Sequence, residues 1–494
     1  MVASAGDRAL TYEDLMKFRQ IEDSSISAGG VWIAYALVPD RGDGEVVVRS
    51  TATDTEYRIE RGAKPVISSD GLWAAAEITP TLEEREQAKD AEKDDKPRKG
   101  LSLVDLKTGH EERIDEVESF AFAEGGRWLA FKRYEAKDEG ETEEPDTEGE
   151  EENEDKQKLG TAVEIRRLGG GGTVIENVAS FAMAEHGAYL AYAVSAPAGE
   201  GNGVFVVDLS GEEPATSNLH GQARGSYSHL SWARKADHLA FAASIFDDEG
   251  EGGDAEIWVW AGQEPSAVVT AADAPEGFAV PSANELEWSR DGARRFCGFS
   301  YVGGAEAEDD SSGSGSGSGS DEDEKPFDPY DFDAILEGRG VDVWHWNDPR
   351  IISNQKERWE EHEKNRVYRA VIHLDDRAVV PLATLDLPEV FPTDNSSFAL
   401  AGSDLPYLRE ITWDGTYGDV FVVNLRTGKQ HPVVERLSVG WRGSSASLSP
   451  DGRSVLFYQA GDWHLWSVET SEAVNLTAAL EVPFANEDHD YPMD

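Results

Sequence analysis

The chain has 494 residues and a formal net charge of −52, from 97 acidic and 45 basic side chains. A surface this acidic repels nucleic-acid phosphates and anionic lipid headgroups, so neither a nucleic acid nor a membrane is an expected partner. The apolar residues, 39% of the chain, exclude wholesale disorder, and no run of about 18 of them exists to span a bilayer. The single cysteine, Cys297, excludes an internal disulfide and a zinc site built of cysteines.

Two short phrases alternate along the chain. The first is a small residue or glycine, a variable residue, a bulky residue that is mostly aromatic, and an apolar run. Its copies begin at Gly30, Gly71, Gly126, Gly187, Ala236, Gly292 and Gly452, with a faint one at 397–401. The second is an apolar strand that ends in a turn. Its copies occupy 45–49, 101–109, 163–166, 204–209, 257–260, 367–374, 420–428 and 463–468.

Both phrases predict β-strands, because they alternate, are rich in Val, Ile, Trp, Tyr and Phe, and are punctuated by glycine turns. Removing the acidic runs at 81–100 and 135–156 brings the repeat near 35–45 residues, the length of a four-stranded blade. The sequence therefore predicts an all-β fold, a β-propeller of about eight four-stranded blades with acidic loop insertions. A solenoid is the structural alternative, and a βαβ fold is excluded because no long helical patterns alternate with the strands.

The segments between the repeats define the predicted organisation. Acidic composition predicts disorder at 136–156 and 306–325, and helix formers predict helices within 81–99 and over 351–366. The predicted parts are a lead-in at 1–24, blades one to six at 25–302, an insertion at 303–366, the remaining blades at 367–480, and a tail at 481–494. The insertion divides the sixth blade into two halves, and the tail is expected to lead into a further segment.

Candidate sites are few, and none is assigned as catalytic, cofactor-binding or metal-binding. No Gly-x-Ser-x-Gly nucleophile elbow, phosphate-binding glycine loop or His-Glu-x-x-His motif occurs. His345, between two tryptophans, is interpreted as strand packing rather than a docking surface. The polar cluster at 486–490 is interpreted as a loop rather than a metal site. Cys297, near Phe296 and Phe299, is predicted to be a buried strand thiol.

The phrase from Ser449 to Gly452, with later strands ending in a Thr-Gly turn, resembles the propeller repeats of TolB and of the prolyl oligopeptidase family. Three segments resemble the large bacterial members of that peptidase family: residues 12–27, 343–350 and 475–492. The resemblance implies a propeller that precedes an α/β-hydrolase domain and limits the peptides that reach its active site. The catalytic Ser, Asp and His of that family have no counterparts to be assigned here.

Two functions are therefore carried forward. In the first, the chain is the non-catalytic propeller portion of a serine peptidase, and its partners are the hydrolase domain of the same protein and a peptide substrate. In the second, it is a free-standing TolB-like propeller that binds a protein. Whether the chain is itself an enzyme stays open, and so does its oligomeric state. The first ten residues lack the apolar core of a signal peptide, so the sequence as given suggests a cytoplasmic location, although members of the family are often exported.

Overall fold

A computed structural model describes residues 11–89, 91, 96–135, 159–246, 253–302, 348–363, 365–393, 397–440, 443–444, 446–482 and 484. The chain is all-β, as predicted, and is built of antiparallel sheets whose strands follow one another in chain order. It divides into two compact units. One comprises 1–253 and 257–266, and the other comprises 254–256 and 267–494. The predicted disordered runs at 136–156 and 306–325 lie outside the described residues.

Four sheets lie wholly or mostly in the first unit. The first holds β1 (Arg19–Ile26), β2 (Trp32–Pro39), β3 (Glu45–Ser50) and β4 (Glu56–Glu60). The second holds β5 (Gly62–Ile67), β6 (Trp73–Ile78), β7 (Gly100–Asp105) and β8 (Glu111–Ile114). The third holds β9 (Val117–Phe122), β10 (Trp128–Arg133), β11 (Thr161–Arg167), β12 (Gly172–Met183), β13 (Tyr189–Val194), β14 (Gly203–Asp208) and β15 (Ala215–Gly221). The fourth holds β16 (Gly225–Trp232), β17 (Leu239–Ile245), β18 (Glu256–Trp260) and β19 (Ser266–Val269).

Three sheets lie in the second unit. The first holds β20 (Phe278–Ala279), β21 (Glu287–Trp288), β22 (Arg294–Tyr301), β23 (Val367–His373) and β24 (Ala378–Pro381). The second holds β25 (Glu389–Pro392), β26 (Phe398–Ser403), β27 (Tyr417–Asn424), β28 (Gln430–Gly440) and β29 (Gly443–Ser444). The third holds β30 (Ala446–Leu448), β31 (Ser454–Gln459), β32 (Asp462–Ser467) and β33 (Glu472–Asn475). Because β22 pairs with β23 across the predicted insertion, both sides of that insertion belong to one sheet.

The helices among the described residues are short. They are α1 (Tyr12–Met16), α2 (Leu82–Gln87) and α3 (Ile352–Arg358), and α3 continues as a π turn at Trp359–Glu363. The 3-10 turns are Pro197–Gly199, Ala271–Asp273, Leu405–Tyr407 and Glu410–Thr412. Helix α2 begins with a capping box in which Thr81 and Glu84 satisfy each other's backbone N–H groups, and it buries no residue. Helices were predicted in both regions, 81–99 and 351–366. Among the described residues no helix has the length and apolar character needed to cross a bilayer.

In four copies of the first phrase, those that begin at Gly30, Gly71, Gly292 and Gly452, a serine holds the turn. The backbone N–H five residues after the serine donates to its Oγ at 3.0 Å, and a glycine with φ near +70° follows the serine by three residues. In three of the four copies the serine hydroxyl also donates to an aspartate one position before that glycine. The serines are Ser27, Ser68, Ser289 and Ser449. This left-handed glycine explains why the phrase is anchored on Gly.

The second phrase ends in a turn that a side-chain oxygen closes. Asp105 accepts from the N–H groups of Lys107 and Thr108, and Asn424 accepts from those of Arg426 and Thr427. Such Asx turns reverse the chain between the third and fourth strands of a sheet.

Consecutive sheets pack through small and β-branched side chains on their middle strands. In the first unit Ala34 and Val46 pack with Ala74 of the next sheet. In the second unit Val422 of β27 packs with Val455 and Trp466 of the following sheet. The core therefore lies between sheets, at the strands that the two phrases predicted.

The seven-stranded sheet contains two four-stranded meanders that share β12. The first part of this strand pairs with β11 and the second part pairs with β13, with the pairing passing from one neighbour to the other at Val178. The adjacent Asn177 has a φ of 58° and marks the bend. Four of the seven described sheets have the four strands of a propeller blade, and the seven-stranded sheet joins two such meanders, while the count of eight blades stays a prediction.

Candidate functional site

A cavity of about 380 Å³ lies in the second unit, against the sheet of β25 to β28. It is lined by residues around α3 and the π turn and by residues at the ends of β26 and β27. Gly402 and Gly418, which carry no side chain, are among the lining residues. Pockets that hold small ligands usually measure about 300–1,000 Å³, so this volume suits a small ligand or one end of a larger one.

Three arginines spaced eight residues apart reach the cavity. Arg350 precedes α3, Arg358 is its last residue, and Arg366 lies just before β23. Gln355 donates to the carbonyl oxygen of Arg350 at 2.5 Å and so ties the start of this segment to α3. The side chains of Arg350 and Arg366 are both less than one-fifth exposed.

The three guanidinium groups differ in how closely carboxylates approach them. Arg366 donates to Glu363 at 2.9 Å and to Glu389 at 3.1 Å. The nearest described carboxylate oxygens lie 3.8 Å from Arg350, on Asp404, and 3.7 Å from Arg358, on Glu363. These longer separations exceed hydrogen-bond distance, so Arg350 and Arg358 keep donors that the described carboxylates do not occupy.

The pKa of Arg350 reflects this environment. Burial and the neighbouring Arg358 guanidinium lower it below its ordinary value, and Asp404 offsets this only in part. By contrast, the hydrogen bonds that Arg436 donates to Glu410 and Asp414 raise the pKa of Arg436. The pKa of Arg436, an arginine with hydrogen-bonded carboxylates in the same unit, is therefore shifted in the opposite direction to that of Arg350.

The remaining wall is mostly apolar. Leu385, Phe391 and Leu405 line the cavity and are exposed, while Val420 and Leu437 line it from the buried side of the sheet. Ser403, 6% exposed, is also a lining residue, and its Oγ has no hydrogen-bond partner among the described residues. A buried hydroxyl without a hydrogen-bond partner lowers stability, because it has lost its water without gaining a partner.

Asp419 also lines the cavity, and its carboxylate already has hydrogen-bond donors. It accepts from the Tyr407 hydroxyl at 2.6 Å and from the backbone N–H of Arg436 at 2.9 Å. Burial and this carboxylate raise the pKa of Tyr407 to about 12, so the phenol stays protonated at neutral pH. These bonds hold the Asp419 carboxylate in place.

The candidates taken from the sequence do not meet at this cavity. Cys297 lies in β22 and is buried, which confirms the prediction of a buried strand thiol, and burial raises its pKa to about 12. His345 and the cluster at 486–490 lie outside the described residues. Within the described ranges no three or more His, Cys, Asp or Glu side chains are grouped to hold a metal ion.

Sequence reasoning missed the cavity. Arg350 was noted only as the end of the 343–350 segment, and Arg358 and Arg366 only as parts of a helix. The available signal was the even spacing of three arginines in a chain with more than twice as many acidic as basic residues. The apolar wall comes from β25 to β28 and the turn after β26, which no local pattern links to that helix.

No protein-family model matches the chain, and no curated protein sequence does. Several solved structures are similar in fold. The β-propeller domain of the Trilobed protease from Pyrococcus furiosus has 10% identity and a TM-score of 0.33, over 85% of this chain and 97% of that one. A eukaryotic initiation factor has 11% identity and a TM-score of 0.41, over 92% and 87%. A prolyl endopeptidase has 10% identity and a TM-score of 0.37, over 92% of this chain and 55% of that one.

The similar structures include proteases and a translation factor. The similarity therefore concerns the arrangement of strands and does not indicate an activity. The all-β class of the prediction is confirmed. The peptidase relationship and the TolB-like character of the repeats rest on the sequence segments alone.

Proposed function

We propose that the chain is the propeller portion of a prolyl-oligopeptidase-like serine peptidase, and that it selects the peptides that reach a hydrolase domain of the same protein. The observation that carries the proposal is the recurring serine-and-glycine turn between the first two strands of a sheet. The family resemblance rests on the phrase from Ser449 to Gly452, and this turn explains why the phrase needs its serine and its glycine. The three family-like segments at 12–27, 343–350 and 475–492 supply the link to peptidases.

We infer the selection role from the architecture that the family resemblance implies. A propeller placed over an active site admits extended chains and excludes folded proteins, so the hydrolase acts on short peptides. The high negative charge adds to the selection, because it repels acidic peptides over roughly a Debye length, about 8 Å at physiological ionic strength.

The experiment compares the 494-residue chain with the product of its gene read beyond Asp494. A fluorophosphonate probe, which labels activated serines, should leave the 494-residue chain unlabelled and label one serine of the longer product. The longer product should cleave short peptides and leave a folded protein of the same cleavage sequence intact. Stoichiometric labelling of the 494-residue chain would contradict the proposal.

The alternative is a free-standing propeller that binds a protein. The cavity beside α3 favours it, since exposed apolar side chains and arginines occur together there. A reading frame that ends at Asp494, or a longer product without a reactive serine, would decide for this alternative.

A further inference from the structure

We infer that the cavity between α3 and the sheet of β25 to β28 binds a peptide by its C-terminal carboxylate, with Arg350 and Arg358 on the carboxylate and the last side chain against Leu385, Phe391 and Leu405. The inference concerns this chain alone and does not depend on a hydrolase domain, so it stands or falls separately from the peptidase proposal.

The charge of the wall points to a ligand with one negative charge. The lining holds three arginines against four carboxylates, on Glu363, Glu389, Asp404 and Asp419, a net of −1. The charges are separated, however: both glutamates contact Arg366 and Asp419 is held by Tyr407. At the other end neither Arg350 nor Arg358 has a described carboxylate within hydrogen-bond distance. Asp404 lies 3.8 Å from Arg350, and Glu363, which already accepts from Arg366, lies 3.7 Å from Arg358.

A carboxylate is the anion that suits this end. A guanidinium presents a fork of N–H donors that matches the two oxygens of a carboxylate. A phosphate dianion also fits the fork, but the four nearby carboxylates disfavour a second negative charge.

An apolar side chain beside the carboxylate fits the remaining wall. Leu385, Phe391 and Leu405 are exposed in spite of their apolar character, and covering them with a ligand side chain is favourable by about 25 cal/mol per Å² removed from water. A carboxylate attached directly to a residue with an apolar side chain is the C-terminus of a peptide. Acetate alone satisfies the arginines but leaves the apolar wall uncovered.

Binding of acetyl-Gly-Phe to the full 494-residue chain tests the inference by calorimetry, with acetyl-Gly-Phe amide as the matched probe. We expect the free acid to bind at least about tenfold more tightly than the amide, because a charged hydrogen-bonded pair is lost in the amide. Acetyl-Gly-Gly, with the carboxylate but no apolar side chain, should also bind more weakly than acetyl-Gly-Phe.

Variants assign the binding to the cavity. Arg350→Gln and Arg358→Gln should each weaken acid binding by about tenfold and leave amide binding unchanged, since they remove donors to a charged group. Arg426→Gln, which removes a paired surface arginine away from the cavity, should bind as the unmodified chain does. Circular dichroism and a melting curve show that each variant is folded.

Equal binding of acid and amide, or undiminished binding by both cavity variants, would overturn the inference. Inorganic phosphate that displaces acetyl-Gly-Phe more effectively than acetate does would also overturn it, in favour of a site for multiply charged anions. If an arginine variant fails to fold, the comparison of acid and amide on the unmodified chain still decides the charge requirement. Leu405→Ala then decides the location, with weaker binding expected.

Discussion

A single serine hydroxyl closes the turn between two paired strands in four of the described sheets. At Ser68 the Oγ accepts from the Trp73 N–H at 3.0 Å and donates to the Asp70 carboxylate at 2.6 Å. Asp70 in turn accepts from the Leu72 N–H at 3.0 Å. Polar groups that would lose water in a turn beside the core are thereby satisfied within a few residues of chain.

Replacing Ser68 with alanine tests how much this turn contributes to stability. Ser68 is buried, so Ser68→Ala leaves the Trp73 N–H with one acceptor fewer, and we expect the free energy of unfolding to fall by about 1–2 kcal/mol. Urea denaturation measures this change in the free energy of unfolding. Ser210→Ala on an exposed turn is the control and should change stability by less than about 0.5 kcal/mol. An equal effect of the two substitutions would show that the Ser68 hydroxyl does not stabilise the turn.

The aspartate of the same turn makes stability depend on pH. Hydrogen bonds from the Ser449 hydroxyl and from the Arg453 N–H lower the pKa of Asp451 below its ordinary 3.8. Because the folded pKa is below the unfolded one, these bonds stabilise the fold above about pH 4, and that stabilisation is lost as pH falls through the folded value. Asp451→Asn should therefore lower the urea midpoint at pH 7, with the difference from the unmodified chain shrinking toward pH 3. A difference that is constant over this range would contradict the pKa direction.

At the scale of elements, the two middle strands of each sheet were predicted from the sequence, and the outer strands were not. The middle strand β6 is buried along most of its length, so its sequence has to be apolar. By contrast, β1 and β15 are exposed at most positions, and their sequences, such as Arg-Gln-Ile-Glu-Asp-Ser-Ser-Ile, show no apolar alternation. A buried strand can be predicted from its apolar sequence. An exposed strand takes its conformation from the neighbour with which it pairs, so its own sequence does not reveal it.

The cavity was beyond prediction for a related reason. Arg350 and Arg358 are close in sequence, and α3 was predicted, but Asp404 and Phe391 reach the cavity only through the pairing of β25 with β26. Nothing in a local pattern encodes that register. The burial of Cys297, set by its own apolar strand, was predicted correctly.

The strand β12 that serves two meanders depends on a glycine. A Cβ on Gly160 would overlap the carbonyl of Asn177 at the bend of β12, and backbone atoms cannot rotate away as a side chain does. Gly160→Ala should therefore destabilise the chain by about 1–3 kcal/mol. Gly171→Ala, in the turn before the same strand with open space around it, is the matched control and should be close to neutral. Equal stability of the two variants in urea would show that the backbone at the bend can move to accommodate the added Cβ without loss of stability.

At the scale of the whole molecule, charge pairing cannot remove the excess of acid. Even if each of the 45 Lys and Arg residues compensated one carboxylate, 97 − 45 = 52 carboxylates would remain. Exposed pairs such as that of Arg426 with Asp375 are typical of the described surface, and solvent screening leaves such pairs with little effect on stability. Repulsion among the uncompensated carboxylates therefore opposes the compact state over the whole surface.

Salt should accordingly stabilise this protein. The Debye length falls from about 10 Å at 0.1 M to about 3 Å at 1 M, which screens repulsion between carboxylates that lie several ångströms apart. We expect the melting temperature at pH 7 to rise steadily with NaCl over this range. The same chain near pH 4.4, its isoelectric point, is the control: the net charge there is close to zero, so the rise should be much smaller. A flat response at pH 7 would mean that the acidic groups lie too far apart to repel. An equal rise at both pH values would assign the effect to salting-out of apolar surface rather than to charge.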